Sequence, residues 1–267
     1  MTLYKRVISF FLAVLLTISM IFWSSGFILS DEKSMEVYQD IRESLPVKED
    51  IDVPEPPLER NLAESMMIIE TGELPDSWQL EVPIVYQEPE LPTGCESVAL
   101  TMLLMYEGFE LGKTDIADEY LIYSETGDFA DGYVGNPYSY EGAGCFPPSL
   151  ARTAERFLEE NDSELHAENI SGKSLGELYY YLANGIPAAV WCTMYMSYDI
   201  WLYEDGFEQD GICYNWYENE HCTVLTGYDL ENRTVTIHDP LEGIVVRDMD
   251  EFEYIYDAIG RFALVIL

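Results

Sequence analysis

Few side chains in this sequence can do covalent chemistry near neutral pH: five cysteines and three histidines among 267 residues. Cys95 stands out because it sits in "LPTGCESVAL", where a proline and glycine turn runs into an apolar helical pattern. Thr93 and Glu96 have the Thr-x-x-Glu spacing of a capping box, which predicts Thr93 as N-cap and Cys95 as the second helical residue. There, unpaired backbone N–H groups and the positive end of the helix dipole favour the thiolate, the nucleophilic form of cysteine. The Cys95 N–H is also free to hold a developing oxyanion. Free cysteine is nevertheless among the most buried residue types, so Cys95 alone does not establish a nucleophile.

A thiol nucleophile needs a base, and the candidates are His166, His221 and His238. His166 lies in the polar connector "NDSELHAEN" and is expected to be exposed. His221 opens the alternating apolar run "HCTVLTGYD", and His238 lies near the end of "TVTIHDP". The two runs read as an antiparallel hairpin around "LENR". With an odd-membered register centred near residue 231, His221 and Asp239 share one face as direct or diagonal neighbours. His238 and Cys222 then point to the other face. Asp239 is thereby placed to orient the imidazole of His221, the third part of a nucleophile, base and orienter set. Gln87, eight residues before Cys95, has a side-chain amide that can donate a second oxyanion hydrogen bond.

These residues need a scaffold, and the sequence outlines one. Leu80 to Tyr86 reads as a short strand, followed by a proline-punctuated loop and a helix from about Gly94 to Glu107. A Gly- and Tyr-rich loop spans Gly127 to Pro148. Helices follow near Pro148 and Leu175, and then strands at "PAAVWCT", "HCTVLTGYD", "TVTIHDP" and "FALVIL". Helices first and strands later predict an α+β domain over residues 79–267. Residues 31–78 are acidic and proline-bearing, and read as a linker or stalk, with an occluding pro-segment as the sharper alternative. At the amino end Lys5 and Arg6 precede an uncharged run from Val7 to Ser30. Residues 1–30 are thus expected to be a signal peptide or a membrane anchor, with an uncleaved anchor favoured by the length of the run. The positive flank places the remainder outside the cytoplasm, secreted or anchored at the cell surface.

Composition narrows the partners. Thirteen lysines and arginines face 50 aspartates and glutamates, a formal charge of −37, which disfavours nucleic acid and anionic lipid and favours basic or neutral partners. Membrane contact is expected through the amino-terminal segment only. No Cys-x-x-Cys or His-x-x-x-His spacing occurs, so neither a metal nor a cofactor is expected. Cys145, Cys192, Cys213 and Cys222 form an even set that an exported domain could pair in three ways, with free buried thiols as the alternative.

Taken together, "YQEPELPTGCESVAL", "GNPYSYEGAGCFPPSLA", "GIPAAVWCT" and "HCTVLTGYDLENRTVTIHDP" resemble the papain-like cysteine peptidases. Within them the sequence is most similar to the C-39-like, double-glycine or bacteriocin-processing branch, in a stand-alone exported form. The resemblance implies a papain-like fold with a helical subdomain meeting a β-subdomain and the site between them. It further implies Cys95 as nucleophile, His221 as general base and acid, Asp239 as orienter and Gln87 as oxyanion donor, acting on a peptide or protein substrate. Gln87 lies further from its cysteine than in papain, and no transporter domain is attached. A catalytically silent surface binding module, suggested by Tyr133, Tyr138, Tyr140 and the aromatic stretch from Trp191 to Tyr217, is the alternative in another class. An amidase or acyltransferase with the same chemistry is a third.

Overall fold

The structure, a computed structural model, describes residues 74–200, 202–209 and 212–267. The expectations for residues 1–30, and most of the stretch read as linker, lie outside them. No helix among the described residues is long and apolar enough to cross a membrane.

Helix α1 (Cys95–Tyr106) is buried at every position from Cys95 to Leu104. Its sequence, CESVALTMLLMY, is largely apolar on every face, and a helix of that kind belongs in the interior, with Glu96, Ser97 and Thr101 buried alongside. Helix α2 (Pro147–Glu160) has the opposite pattern. Leu150, Thr153, Ala154, Phe157 and Leu158 recur at helical spacing and form its buried face, and proline at its start supplies a preset φ where no N–H is needed. Helix α3 (Leu175–Ala183) begins with a complete capping box: Ser174 accepts from the Glu177 backbone N–H, and the Glu177 side chain accepts from the Ser174 N–H.

The strands are β1 (Ser77–Gln79), β2 (Ala167–Asn169), β3 (Ala188–Thr193), β4 (Leu202–Gln209), β5 (Ile212–Tyr217), β6 (Glu220–Asp229), β7 (Thr234–Asp239), β8 (Gly243–Asp248) and β9 (Ala263–Ile266). Helix α4 (Met249–Ala258) joins β8 to β9 and is capped by Asp248, which accepts from the Asp250 and Glu251 N–H groups. The main sheet runs β2-β9-β3-β6-β7-β8, with β1 also paired to β6, and β4 and β5 form a separate hairpin. Every pairing in it is antiparallel. Helix α1 packs on β6, β3 and β9, and α4 packs on β3, β7 and β8. The expected α+β architecture, mixed helices with an antiparallel sheet, is the one observed. β8 and α4 were not anticipated from the sequence.

Two local expectations are corrected. The strand near the amino end is Ser77–Gln79, and residues 80–87 are extended without ladder pairing. Pro83 lacks the N–H a strand must donate, and pairing with β6 ends at Gln79 opposite Gly227. The β6–β7 turn is also even-membered: Asp229 pairs with Thr234, leaving four residues, 230–233, between them. Continued unchanged, that register would set Asp239 opposite Val224 and put His221 on the wrong face. A bulge between Leu225 and Gly227 removes the mismatch, because Val224 then pairs with His238. The extra residue on β6 reverses the parity of everything before it. His221 and Asp239 end on one face because of this bulge and not because of the turn.

Candidate active site

Helix α1 presents Cys95 as its first residue, with Gly94 as N-cap and no side-chain cap. Thr93 is occupied elsewhere, its hydroxyl donating to the Ser139 carbonyl at 2.9 Å and accepting from Tyr133 at 3.0 Å. It anchors the Gly- and Tyr-rich loop instead of closing a capping box. Glu96, expected to bond back to the helix start, turns inward, where it is wholly buried. It accepts from the Cys145 backbone N–H at 2.6 Å and from the Cys95 thiol at 3.4 Å. Its carboxyl also faces that of Glu220, the residue before His221.

On β6, His221 is 1 % exposed and Asp239, from β7, 2 % exposed. His221 Nε2 lies 2.7 Å from Asp239 Oδ1. A carboxylate only accepts, so this contact sets the tautomer: Nε2 carries the proton and Nδ1 is left with a lone pair. Asp239 Oδ1 also accepts the Leu241 N–H at 2.7 Å and the Glu242 N–H at 3.4 Å. Burial pushes the Asp239 carboxyl up, but its interaction with His221 and these hydrogen bonds outweigh it and hold the group below its usual range. Beyond Val224 β7 no longer pairs with β6, and there Cys95 comes up against Cys222. The sulfur of Cys95 thus meets β6 at the residue next to His221.

The resting sulfur is a thiol. Burial above all, then the negative charge at the Glu96 and Glu220 carboxyls, push Cys95 well above the ordinary thiol range. In the resting site desolvation and this charge outweigh the pull of the helix end on the thiolate. Ionisation must therefore accompany proton transfer to a base.

Gln87 is 2 % exposed and its backbone N–H donates to the Pro240 carbonyl at 3.0 Å, which sets it beside Asp239. Its Nε2 donates to the Pro92 carbonyl at 2.8 Å, which uses one of two amide protons. His238, one residue before Asp239 on β7, faces the other side of the sheet beside Val82 and Pro83, and burial pushes its pKa down. His166 is exposed. Cys145, Cys192 and Cys222 are free buried thiols, so the disulfide pairing considered from the sequence is not formed among them. Donor atoms of Cys95, Glu96 and Glu220 lie within 4.8 Å of one another. Glu220 is the site residue missed in the sequence, although a glutamate beginning an apolar strand just before His221 was a visible signal.

The model of the Peptidase_C39 like family matches residues 79–264. The chain belongs to this family. Consistently, it is 30% identical to the uncharacterized protein YvpB of Bacillus subtilis over 190 residues, 67% of this chain and 70% of that protein. It also superposes on the crystal structure of a protein described as a C39-like peptidase from Bacillus anthracis, with a TM-score of 0.60 and 29% identity over 72% of this chain and 97% of the other. The C39-like chain therefore has the cysteine peptidase type of fold that the sequence resemblance implied.

Proposed function

We propose that this C39-like protein is a cysteine peptidase that cleaves peptide bonds through an acyl-enzyme on Cys95. The observation that carries the reading is the 2.7 Å bond between His221 Nε2 and Asp239 Oδ1, which leaves Nδ1 with a lone pair to accept a proton. In the proposed cycle His221 takes the thiol proton as sulfur attacks the carbonyl carbon, then delivers it to the leaving amine. Water, activated by the same imidazole, hydrolyses the thioester and regenerates the thiol. The Cys95 N–H, unpaired at the helix start, and the second amide proton of Gln87 are assigned to the oxyanion. The net charge of −37 favours neutral or basic peptides. The proposal includes an extracytoplasmic setting, with residues 7–30 as tether, on the grounds of their uncharged composition and positive flank.

Incubating the protein with a diverse peptide mixture and sequencing products by mass spectrometry tests the activity. Cleavage by wild type and none by Cys95→Ala is the expected result. Identical product patterns from both proteins would remove the reading. Protease accessibility of the domain on intact cells tests the setting, with protection from added protease as the contrary result.

A further inference from the structure

Two carboxyl groups stand where the nucleophile's helix meets the base's strand. Glu96 follows Cys95 and Glu220 precedes His221; they are 0 % and 8 % exposed, and their carboxyl oxygens, with the Cys95 sulfur, lie within 4.8 Å of one another. Carboxylates have no donor, so a bond between the two requires one proton. Loop residue Gly144 closes over the pair. Its φ is +126°, and a Cβ added there would lie 2.4 Å from Glu96 Oε1 and 2.7 Å from Glu220 Oε1. The next residue, Cys145, donates its N–H to Glu96, and its carbonyl accepts from Trp191 Nε1 of β3 at 3.2 Å. The pair thus ties α1, the loop and the sheet together at one point.

Building on the reading of Cys95 and His221 given above, we propose that Glu220 is a positioning residue. Its carboxyl, protonated and bonded to Glu96, fixes the nucleophile's helix against the strand of the base, and loss of that single proton disengages the two. Which acid carries the proton follows from the partners. Glu96 has two other donors, the Cys145 N–H and the Cys95 thiol, and so is the better anion. Glu220 Oε2 is buried with no donor of its own among the described residues, and burial together with the Glu96 charge pushes its carboxyl well up. The titratable groups facing the pair are Cys95 from α1, Tyr133 and Cys145 from the loop, Cys192 from β3 and Cys222 from β6. All are neutral while Glu220 is protonated, since burial pushes each of them up as well. Arg152 of α2 acts on Cys145, and no cation contributes to holding Glu220. Removing the proton would leave two adjacent buried anions, which repel where they had bonded. The pair is then a pH-limited clamp on the site, with a net charge of −1 when engaged.

The test combines infrared spectroscopy with Cys95 alkylation by iodoacetamide across pH, on the full chain. Wild type is expected to show a protonated carboxylic acid band at neutral pH that shifts on ¹³C-glutamate labelling and is missing in Glu220→Gln. Glu220→Ala should lower Cys95 alkylation about tenfold, the scale of one buried hydrogen bond to a charged group. Glu220→Gln, which donates an N–H but cannot ionise, should rescue it and should keep its reactivity at alkaline pH where wild type loses the band and falls behind. Absence of a protonated glutamic acid band in labelled wild type overturns the proposal without needing any variant to fold. Superposable alkylation profiles for wild type and Glu220→Gln through the pH at which the band vanishes overturn it as well. The two readings separate through His221→Ala. A band that persists while alkylation proves independent of His221 refutes the nucleophile and base assignment, whereas dependence on His221 without the band refutes the clamp alone.

Discussion

Replacing Asp239 by asparagine is the most discriminating perturbation of the site. In most arrangements the amide could turn its NH₂ towards the imidazole and reverse the tautomer, leaving Nδ1 protonated and useless as a base. Here a single oxygen, Oδ1, receives His221 Nε2 at 2.7 Å and the Leu241 N–H at 2.7 Å. A backbone N–H can only donate, so the amide must keep its carbonyl at that position and its NH₂ at the other. The tautomer of His221 is therefore expected to survive, and only the charge is lost. A hydrogen bond to a charged group is worth about 1.5–3 kcal/mol against about 0.5–1.5 for a neutral one, a difference of about 1–1.5 kcal/mol, or roughly 5- to 13-fold in rate. Asp239→Ala loses the whole bond and the orientation with it, so a fall of about 10²-fold or more is expected. The assay is kcat/KM on a cleaved peptide, with the rate of Cys95 alkylation at pH 7 as a reading that needs no substrate. If asparagine is as damaging as alanine, the tautomer has flipped and the argument from the shared oxygen is wrong.

Other outcomes follow from the same geometry. His221→Ala should reduce turnover by about 10²–10⁴-fold, the usual contribution of a general base, in steady-state assays with circular dichroism confirming the fold. Because burial and the neighbouring glutamates push the resting thiol up, Cys95 should be alkylated more slowly at pH 8 than a free peptide thiol, and Glu96→Gln should narrow the gap. Asp239 is held below its unfolded value of about 3.9. Its stabilising contribution is thus complete above that pH and lost as pH falls through the lower folded value, so Asp239→Asn should flatten the acid side of a plot of melting temperature against pH. Gly144→Ala places a Cβ 2.4 Å from Glu96 Oε1 at a positive φ. It should destabilise the fold by about 1–3 kcal/mol, seen as a lowered melting temperature.

Much of this protein can be read from its residues in order. The largely apolar pattern of α1 determines that it is buried, the helical spacing in α2 determines its inner face, and runs such as "AAVWCT" and "TVTIHD" determine strands, because each signal lies within a few residues and needs no partner. The same locality brought out Cys95, His221, Asp239 and Gln87 as candidates. Helix α4 was legible too, through Asp248 before Phe252, Ile255 and Tyr256 at helical spacing, but went unread. What the tertiary structure alone decided depends on parity and on competition between partners. Whether His221 and Asp239 share a face rests on one extra residue between Leu225 and Gly227, and a bulge has no composition that marks it. Thr93 and Glu96 have the spacing of a capping box, as Ser174 and Glu177 do, yet only the second forms. Tyr133, Ser139 and Cys145 offer the first pair other bonds. The meeting of Glu96 with Glu220 across the width of the chain joins two acidic side chains that charge alone would keep apart. Burial, which no stretch of sequence carries by itself, is what raises both carboxyls and permits the meeting.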